Sequence, residues 1–301
     1  MTPDRAPQAG DRATGTGGAE FRAGFVTFVG RPNVGKSTLI NRILGAKVSI
    51  TAASPNTTRR RVHGVLNGPG YQAVFVDTPG IHKPRSALGA RLNAAAVEAL
   101  DGVDVCVLVV DATAPIGTGD RFIAARCPAD STVVVNKIDA ATRPATLRQL
   151  ARAASLLGLD GAAYFPVSAK TGGGIADLTA HLVGRLPPGP RYFAEGVVSD
   201  VPEAFFVAEL VREQLLGFVR DELPHAIACR VVEWEWPYIR CEILVERPSQ
   251  RGIVIGAGGE VLKAVGTAVR RQLAPGAYLD LQVAVEHDWQ RHDELITRLG
   301  Y

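Results

Sequence analysis

From Phe25 onward, short apolar runs alternate with stretches in which apolar residues recur every three or four positions. The runs Phe25–Gly30, Gln72–Val76, Val105–Val110, Thr132–Val135 and Tyr164–Val167 are almost wholly apolar, which predicts strands buried on both faces. Ser37–Leu44, Ala87–Leu100, Asp120–Ala125 and Pro144–Leu157 carry helical spacing between them. That alternation predicts an α/β unit, a doubly wound and mostly parallel sheet. Leu186-Pro187-Pro188-Gly189-Pro190 cannot continue a helix and ends the unit. Beyond it the rhythm changes. Glu203–Val219 reads as a helix, Ala226–Glu235 and Tyr238–Val245 as paired strands, and Gly259–Gln272 as a helix. Tyr278–Val285 reads as a strand and Glu294–Leu299 as a short closing helix, so this second unit is α+β.

The expected organisation is a disordered tail (1–21), an α/β domain (22–187), a linker (188–201) and an α+β domain (202–301). The tail has no apolar core for a secretory signal; disorder is favoured over a targeting role. With 47% apolar and 21% charged residues the composition is that of a globular protein, and no apolar run approaches the ~20 residues of a membrane span. Cys106, Cys127, Cys229 and Cys241 form no C-x-x-C pair, which points to free thiols in a reducing cytoplasm rather than zinc or disulfides. The net charge of +3 hides an asymmetry: residues 1–186 are net basic and residues 187–301 net acidic. A nucleic-acid site in the second half must therefore be a local patch.

Gly30-Arg31-Pro32-Asn33-Val34-Gly35-Lys36-Ser37 fits G-x-x-x-x-G-K-[ST] between a predicted strand and a predicted helix. Its glycines let backbone N–H groups curl round phosphate oxygens, and the following helix adds its positive end. In this reading Lys36 reaches the β- and γ-phosphates, Ser37 ligates Mg²⁺, and Val34 and Thr38 complete the cradle. Such a loop alone leaves ATPases and small-molecule kinases open. Asp77-Thr78-Pro79-Gly80 follows a strand, where Asp77 can hold the Mg²⁺ sphere and the Gly80 N–H can sense a γ-phosphate. Asn136-Lys137-Ile138-Asp139 ends another strand. A buried carboxylate at Asp139 accepts from the N1–H and exocyclic amine of guanine, and adenine would leave it unpaired. Ser168-Ala169-Lys170 ends the last strand, where a backbone N–H can donate to guanine O6, and the Lys137 and Lys170 stems pack near the base.

In the second unit, Gly256-Ala257-Gly258-Gly259 follows Ile253–Ile255 and precedes a helix with Val261, Leu262, Val265 and Val269 on one face. This is a G-x-x-G loop, whose small residues allow close approach to an RNA backbone. Residues 247–271 hold Arg247, Arg251, Lys263, Arg270 and Arg271 against Glu260, a basic patch in an acidic domain. A plain glycine turn with solvated charges is the alternative. Trp234 and Trp236 read first as strand packing, with base stacking as the alternative.

The order and strand-end placement of the nucleotide motifs resemble those of the translation-factor-like GTPase superfamily. The loop Asn56-Thr57-Thr58-Arg59, the run Glu209-Leu210-Val211-Arg212-Glu213, Asp221-Glu222-Leu223-Pro224, Ile255–Gly266 and the ending Asp288-Trp289 to Arg298-Leu299-Gly300-Tyr301 are similar to the Era family of bacterial GTPases. The likeness covers essentially everything after Phe21. It implies that Ala53–Arg60 is a switch I loop in which Thr58, with Thr57 the near alternative, ligates Mg²⁺. Ile81 stands where Ras-like proteins carry a water-positioning Gln, and an aliphatic side chain cannot orient water. Asn33 stands where relatives hold K⁺, and a simple turn role fits it equally. Slow GTP hydrolysis follows, on the order of 10⁻⁴ to 10⁻² s⁻¹, raised by K⁺ or a partner. The resemblance further implies an αββααβ (type II) KH domain that uses Ile255 and Gly256–Gly259 with Arg251, Lys263, Arg270 and Arg271. Its ligand would be the 3′ end of small-subunit (16S) rRNA, in assembly of the 30S ribosomal subunit. Cytoplasmic residence, peripheral contact with the inner membrane and no stable protein partner are also implied. Gln282–His287 is less basic than the resemblance would have it. A P-loop kinase, a constitutive RNA-binding module and a GTPase assisting RNA modification are the competing classes. Asp139 and the missing second substrate domain count against the first, intact Lys36, Thr58 and Asp77 against the second, and the lack of a catalytic Cys motif against the third.

Overall fold

The computed structural model describes residues 20–301 except 53, 55, 56 and 82–86. The expected tail and part of the expected switch I loop therefore lie outside the described residues. The first unit runs β1 (Arg22–Val29), α1 (Lys36–Leu44), β2 (Val62–Gly68), β3 (Tyr71–Asp77), α2 (Ala87–Glu98) and β4 (Val105–Asp111). It continues with α3 (Thr118–Ala124), β5 (Thr132–Asn136), α4 (Arg143–Leu156), β6 (Ala163–Pro166) and α5 (Ile175–Gly184). The sheet order is β2-β3-β1-β4-β5-β6, parallel throughout except for β2, which is antiparallel to β3. One face packs on α1 and α5 through Leu39, Ile40, Leu178 and Leu182; the other packs on α3 and α4 through Ile123 and Ala153. Burial on both faces is why β1, β3, β4 and β5 read as unbroken apolar runs; β6 was expected to be buried likewise but lies at the sheet edge and is only half-buried.

Two elements of this first unit were not in the sequence reading. β2 is half-polar because it is an edge strand, and its signal was the turn Asn67-Gly68-Pro69-Gly70 between two apolar runs. The α5 signal was Ile175, Leu178 and Leu182 at helical spacing after Gly174.

The connecting segment is strapped to the sheet. Buried Gln72 on β3 donates to the Phe193 carbonyl (2.9 Å) and accepts from the Tyr192 and Phe193 N–H groups. The second unit runs α6 (Glu203–Leu216), α7 (Leu223–Ala226), β7 (Ala228–Glu235), β8 (Tyr238–Val245), α8 (Pro248–Ile255), α9 (Glu260–Arg270), β9 (Tyr278–Val285) and α10 (Asp293–Arg298). β8 pairs antiparallel with β7 and parallel with β9. With the single-turn α7 set aside, this is the expected αββααβ order; the apolar run before the G-x-x-G loop is the end of helix α8. The inner sheet face packs on α6, α8 and α9 through Leu210, Val254, Val265 and Val269.

The outer sheet face joins the two units. Ala228 and Leu244 pack with Trp289, Ile296 and Leu299, and with Leu88 and Leu92 of α2 from the first unit. Trp234 and Trp236 depart from the packing reading: they are 36% and 53% exposed, Trp234 near the end of edge strand β7 and Trp236 in the turn that joins it to β8. Cys106, Cys229 and Cys241 are buried free thiols and Cys127 a half-buried one. Among the described residues no single helix is long and apolar enough to cross a membrane, and no group of three or more His, Cys, Asp or Glu side chains is placed to hold a metal ion.

Candidate functional site

The loop from Gly30 to Gly35 joins β1 to α1, and two of its glycines are required by close approach. A Cβ on Gly30 would lie 2.5 Å from the Val109 carbonyl oxygen, and one on Gly35 2.4 Å from Asn136 Nδ2. Asn33 is exposed in the left-handed region (φ 63°), a conformation asparagine tolerates, so the turn role is present in this loop. Its carbonyl accepts from Lys137 Nζ (2.6 Å). Lys36 is buried and donates to the Gly30 and Arg31 carbonyls at 3.1 and 3.2 Å. Burial pushes its ammonium down to about 8, against the opposing pull of Asp77. A buried cation with carbonyl partners is a site short of negative charge, which a phosphate would supply.

Ser37, Thr58 and Asp77 converge. Ser37 Oγ lies 2.9 Å from Thr58 Oγ1, and both hydroxyls donate to Asp77 Oδ2, at 2.7 and 3.2 Å. Burial pushes the Asp77 carboxyl up, opposed by the Ser37 hydrogen bond and Lys36. Among the described residues, buried Asp77 Oδ1 has no hydrogen-bond partner. Two hydroxyls, a carboxylate and an orphaned oxygen suit a hard cation with its water. Thr57 Oγ1 instead donates to the Ser54 carbonyl (2.6 Å), which separates the two threonines in favour of Thr58. Gly80 approaches the loop so closely that a Cβ would lie 2.9 Å from Pro32. Ile81 is buried in the core beneath. Pro32, Lys36, Ser37, Thr57, Thr58 and Gly80 line an open cleft of about 410 Å³, and Thr38 leads from it towards Ala169 and Lys170.

At the far end, Asn136 is a strut. Its Nδ2 donates to the Val34 carbonyl (2.9 Å), and its Oδ1 accepts from the Ala169 N–H (3.0 Å). Ser168 Oγ donates to Asp139 Oδ1 (2.6 Å) and accepts from the Thr171 N–H. The expected burial of Asp139 is not met, because it sits in an exposed turn after β5. Two supports escaped the sequence reading. Asp111 pairs with Lys137 Nζ (2.7 Å), and Arg42 of α1 donates to the Ala169 and Lys170 carbonyls. No local pattern marks either residue.

In the second unit, Gly256, Gly258 and Gly259 have φ of 75°, 59° and 83° between α8 and α9, and Ala257 and Gly258 are exposed. Ile255 ends α8, half-buried. Arg251, Lys263, Arg270 and Arg271 are exposed on or beside the two helices, and none forms a salt bridge among the described residues.

A parallel sheet with a phosphate-type loop at its switch point, a guanine-type turn at its end and an αββααβ unit behind it define a P-loop GTPase carrying a KH domain. Family models agree, with "50S ribosome-binding GTPase" matching residues 25–137 and "KH domain" matching residues 222–290. The chain is 45% identical to the GTPase Era of Mycobacterium sp. (strain KMS) over 94% of its length and all of the relative. It is 43% identical to that of Mycolicibacterium smegmatis, again over 94% of the chain and 99% of the relative. The chain therefore belongs to the Era family of GTPases. Among solved structures it resembles Era in complex with MgGDPNP and nucleotides 1506–1542 of 16S ribosomal RNA, with a TM-score of 0.87 and 34% identity. An Aquifex aeolicus Era bound to GDP and AlF₄⁻ matches equally; each alignment covers 93% of this chain and 99% of the other.

Proposed function

We propose that this GTPase is a switched RNA-binding factor. Residues 22–187 bind and hydrolyse GTP, 188–201 link, and 202–301 grip the 3′ end of 16S rRNA during assembly of the 30S subunit. In this reading the amides and side chains from Gly30 to Thr38 cradle the phosphates, and Lys36 neutralises them. Ser37, Thr58 and Asp77 hold Mg²⁺, which would polarise the transferred phosphoryl group. The Gly80 N–H meets the γ-phosphate, and Asp139, braced by Ser168, selects guanine. Lys137, Ala169 and Lys170 frame the base, and Asn136 ties that frame to the phosphate loop. K⁺ beside Asn33 would act on turnover, read as faster hydrolysis in K⁺ than in Na⁺. Arg251, Ile255, Gly256–Gly259, Lys263, Arg270 and Arg271 form the RNA surface. Residence in the cytoplasm fits this role, and contact with the inner membrane rests on the family resemblance alone.

The observation that carries the reading is the position of two adjacent residues. Thr58 sits at the phosphate cleft while Arg59 is buried in the KH domain, bonded to the Ile227 carbonyl at 2.7 Å. A loop shared in this way favours nucleotide-coupled over constitutive RNA binding. The test is filter binding of an oligonucleotide copying the 16S 3′ end, against a scrambled control, with GDPNP and with GDP. Selective binding that differs between the two nucleotides is expected. Equal, weak binding of both oligonucleotides in both states would sink the reading.

A further inference from the structure

Arg59 and Arg212 have no role in the nucleotide motifs, yet both are buried, at 3% and 0% exposure. Arg59 donates to the carbonyls of Ile227, Pro224 and His225 at 2.7, 3.2 and 3.1 Å. Its guanidinium lies over the rings of both Trp289 and Tyr301, 5.5 and 5.4 Å from their centroids. Arg212 of α6 donates to the Thr57 carbonyl, and its orientation is set by Glu209 at 2.8 and 2.6 Å. The Tyr301 hydroxyl donates to the same Glu209 (3.3 Å). The backbone on both sides of Thr58 is thus held from the KH domain. Thr58 itself is the switch residue that meets Ser37 and Asp77.

The grip has a particular character. Carbonyl dipoles and ring faces offset the cost of burying Arg59, and no carboxylate is bonded to it among the described residues. Arg59 Nε and Arg212 Nη1 are buried without partners among those residues. Ligand-holding groups lose function when their supports are left loose, and loss of an outer support typically costs about 10–100-fold.

We propose that the KH domain is a working part of the GTPase site. Arg59 in the Trp289–Tyr301 socket and Arg212 on Thr57 are positioning residues that hold Thr58 in place, so docking of the two domains sets the rate of hydrolysis. This deepens the reading above and rests on its nucleotide half alone.

The test uses the full chain with Trp234→Phe and Trp236→Phe, which leaves Trp289 as its one indole. Arg59→Ala, Arg59→Lys and Arg212→Met are compared in that background. The readouts are single-turnover GTP hydrolysis, affinity for a fluorescent GDP, the Mg²⁺ midpoint of hydrolysis and Trp289 emission. Arg59→Ala and Arg212→Met are expected to slow hydrolysis by on the order of ten-fold or more and to raise the Mg²⁺ midpoint. GDP affinity should stay within about three-fold, because the phosphate loop and base turn are untouched. Trp289 emission should change in Arg59→Ala, and Arg59→Lys should restore little, since an ammonium lacks the planar fork. A wild-type hydrolysis rate in an Arg59→Ala protein with altered Trp289 emission would overturn the proposal and leave rRNA binding standing. An equal loss of GDP affinity and rate would also overturn it, as general damage. If Arg59→Ala does not fold, Arg212→Met decides by the same readings. Absent rRNA selectivity in the unaltered chain would sink the RNA reading alone.

Discussion

The loop before α1 and the loop before α9 are both glycine-rich turns that open a helix, and they are built in opposite ways. Around the first, Lys36, Asp77 and Asn136 are buried and joined to one another's surroundings by short hydrogen bonds. Around the second, Ala257 and Gly258 stand exposed, with cations spaced along the flanking helices. The difference fits the ligands proposed for the two loops. A nucleotide concentrates charge at one end and a hydrogen-bond code at the other, so its site is a preorganised cavity. An RNA strand spreads its charge evenly, so its site is an open surface of amides and separate cations.

Four substitutions test how far this contrast holds. The largest effect is expected from Asp139→Asn, which replaces an acceptor with a donor facing the guanine N1–H and amine. GTP affinity should fall by on the order of 10³-fold, with preference moving towards xanthosine triphosphate, read by competition binding. Next is Ala257→Asp combined with Gly258→Asp. RNA affinity should fall at least about ten-fold, with GTP hydrolysis and Tm unchanged, because aspartate tolerates the left-handed backbone of Gly258, where an added Cβ meets nothing within 4 Å, and Ala257 is exposed. Asn136→Ala strands the buried Val34 carbonyl and Ala169 N–H, each worth about 1–3 kcal/mol. Tm should drop by several degrees in thermal melts, and nucleotide binding should weaken with it. The smallest effect belongs to Arg270→Ala with Arg271→Ala. RNA affinity should fall a few-fold for every sequence alike, and the slope of log affinity against log salt should lose about two units. A large Tm loss from the RNA-loop pair, or none from Asn136→Ala, would break the distinction between a locked site and a bare one.

Much of this was legible before the fold. The phosphate loop, Asp77–Gly80, the Asn136–Asp139 turn and the G-x-x-G loop are contiguous segments. Each carries its chemistry in the spacing of a few neighbours, and apolar runs on either side reveal the strand or helix that presents it. β2 was missed because an edge strand need not be wholly apolar, and Asp139 was read as buried because a motif does not state its own exposure. Trp234 was read as packing because alternation along a strand cannot show that the strand lies at a sheet edge, and Trp236 because the alternation runs on into the turn after β7.

The sequence by itself determined the two classes of domain and their order, and it named the residues proposed to face the nucleotide and the RNA, since those follow from local pattern and backbone geometry. Only the tertiary structure decided that Arg59 reaches Trp289 and Tyr301, that Arg212 holds Thr57, and that α2 packs beneath the KH sheet. Those contacts join residues far apart in the chain, and what brings them together is burial of apolar surface on the outer face of the second sheet. No short-range pattern records that kind of contact, and it is there that the two halves of the molecule meet.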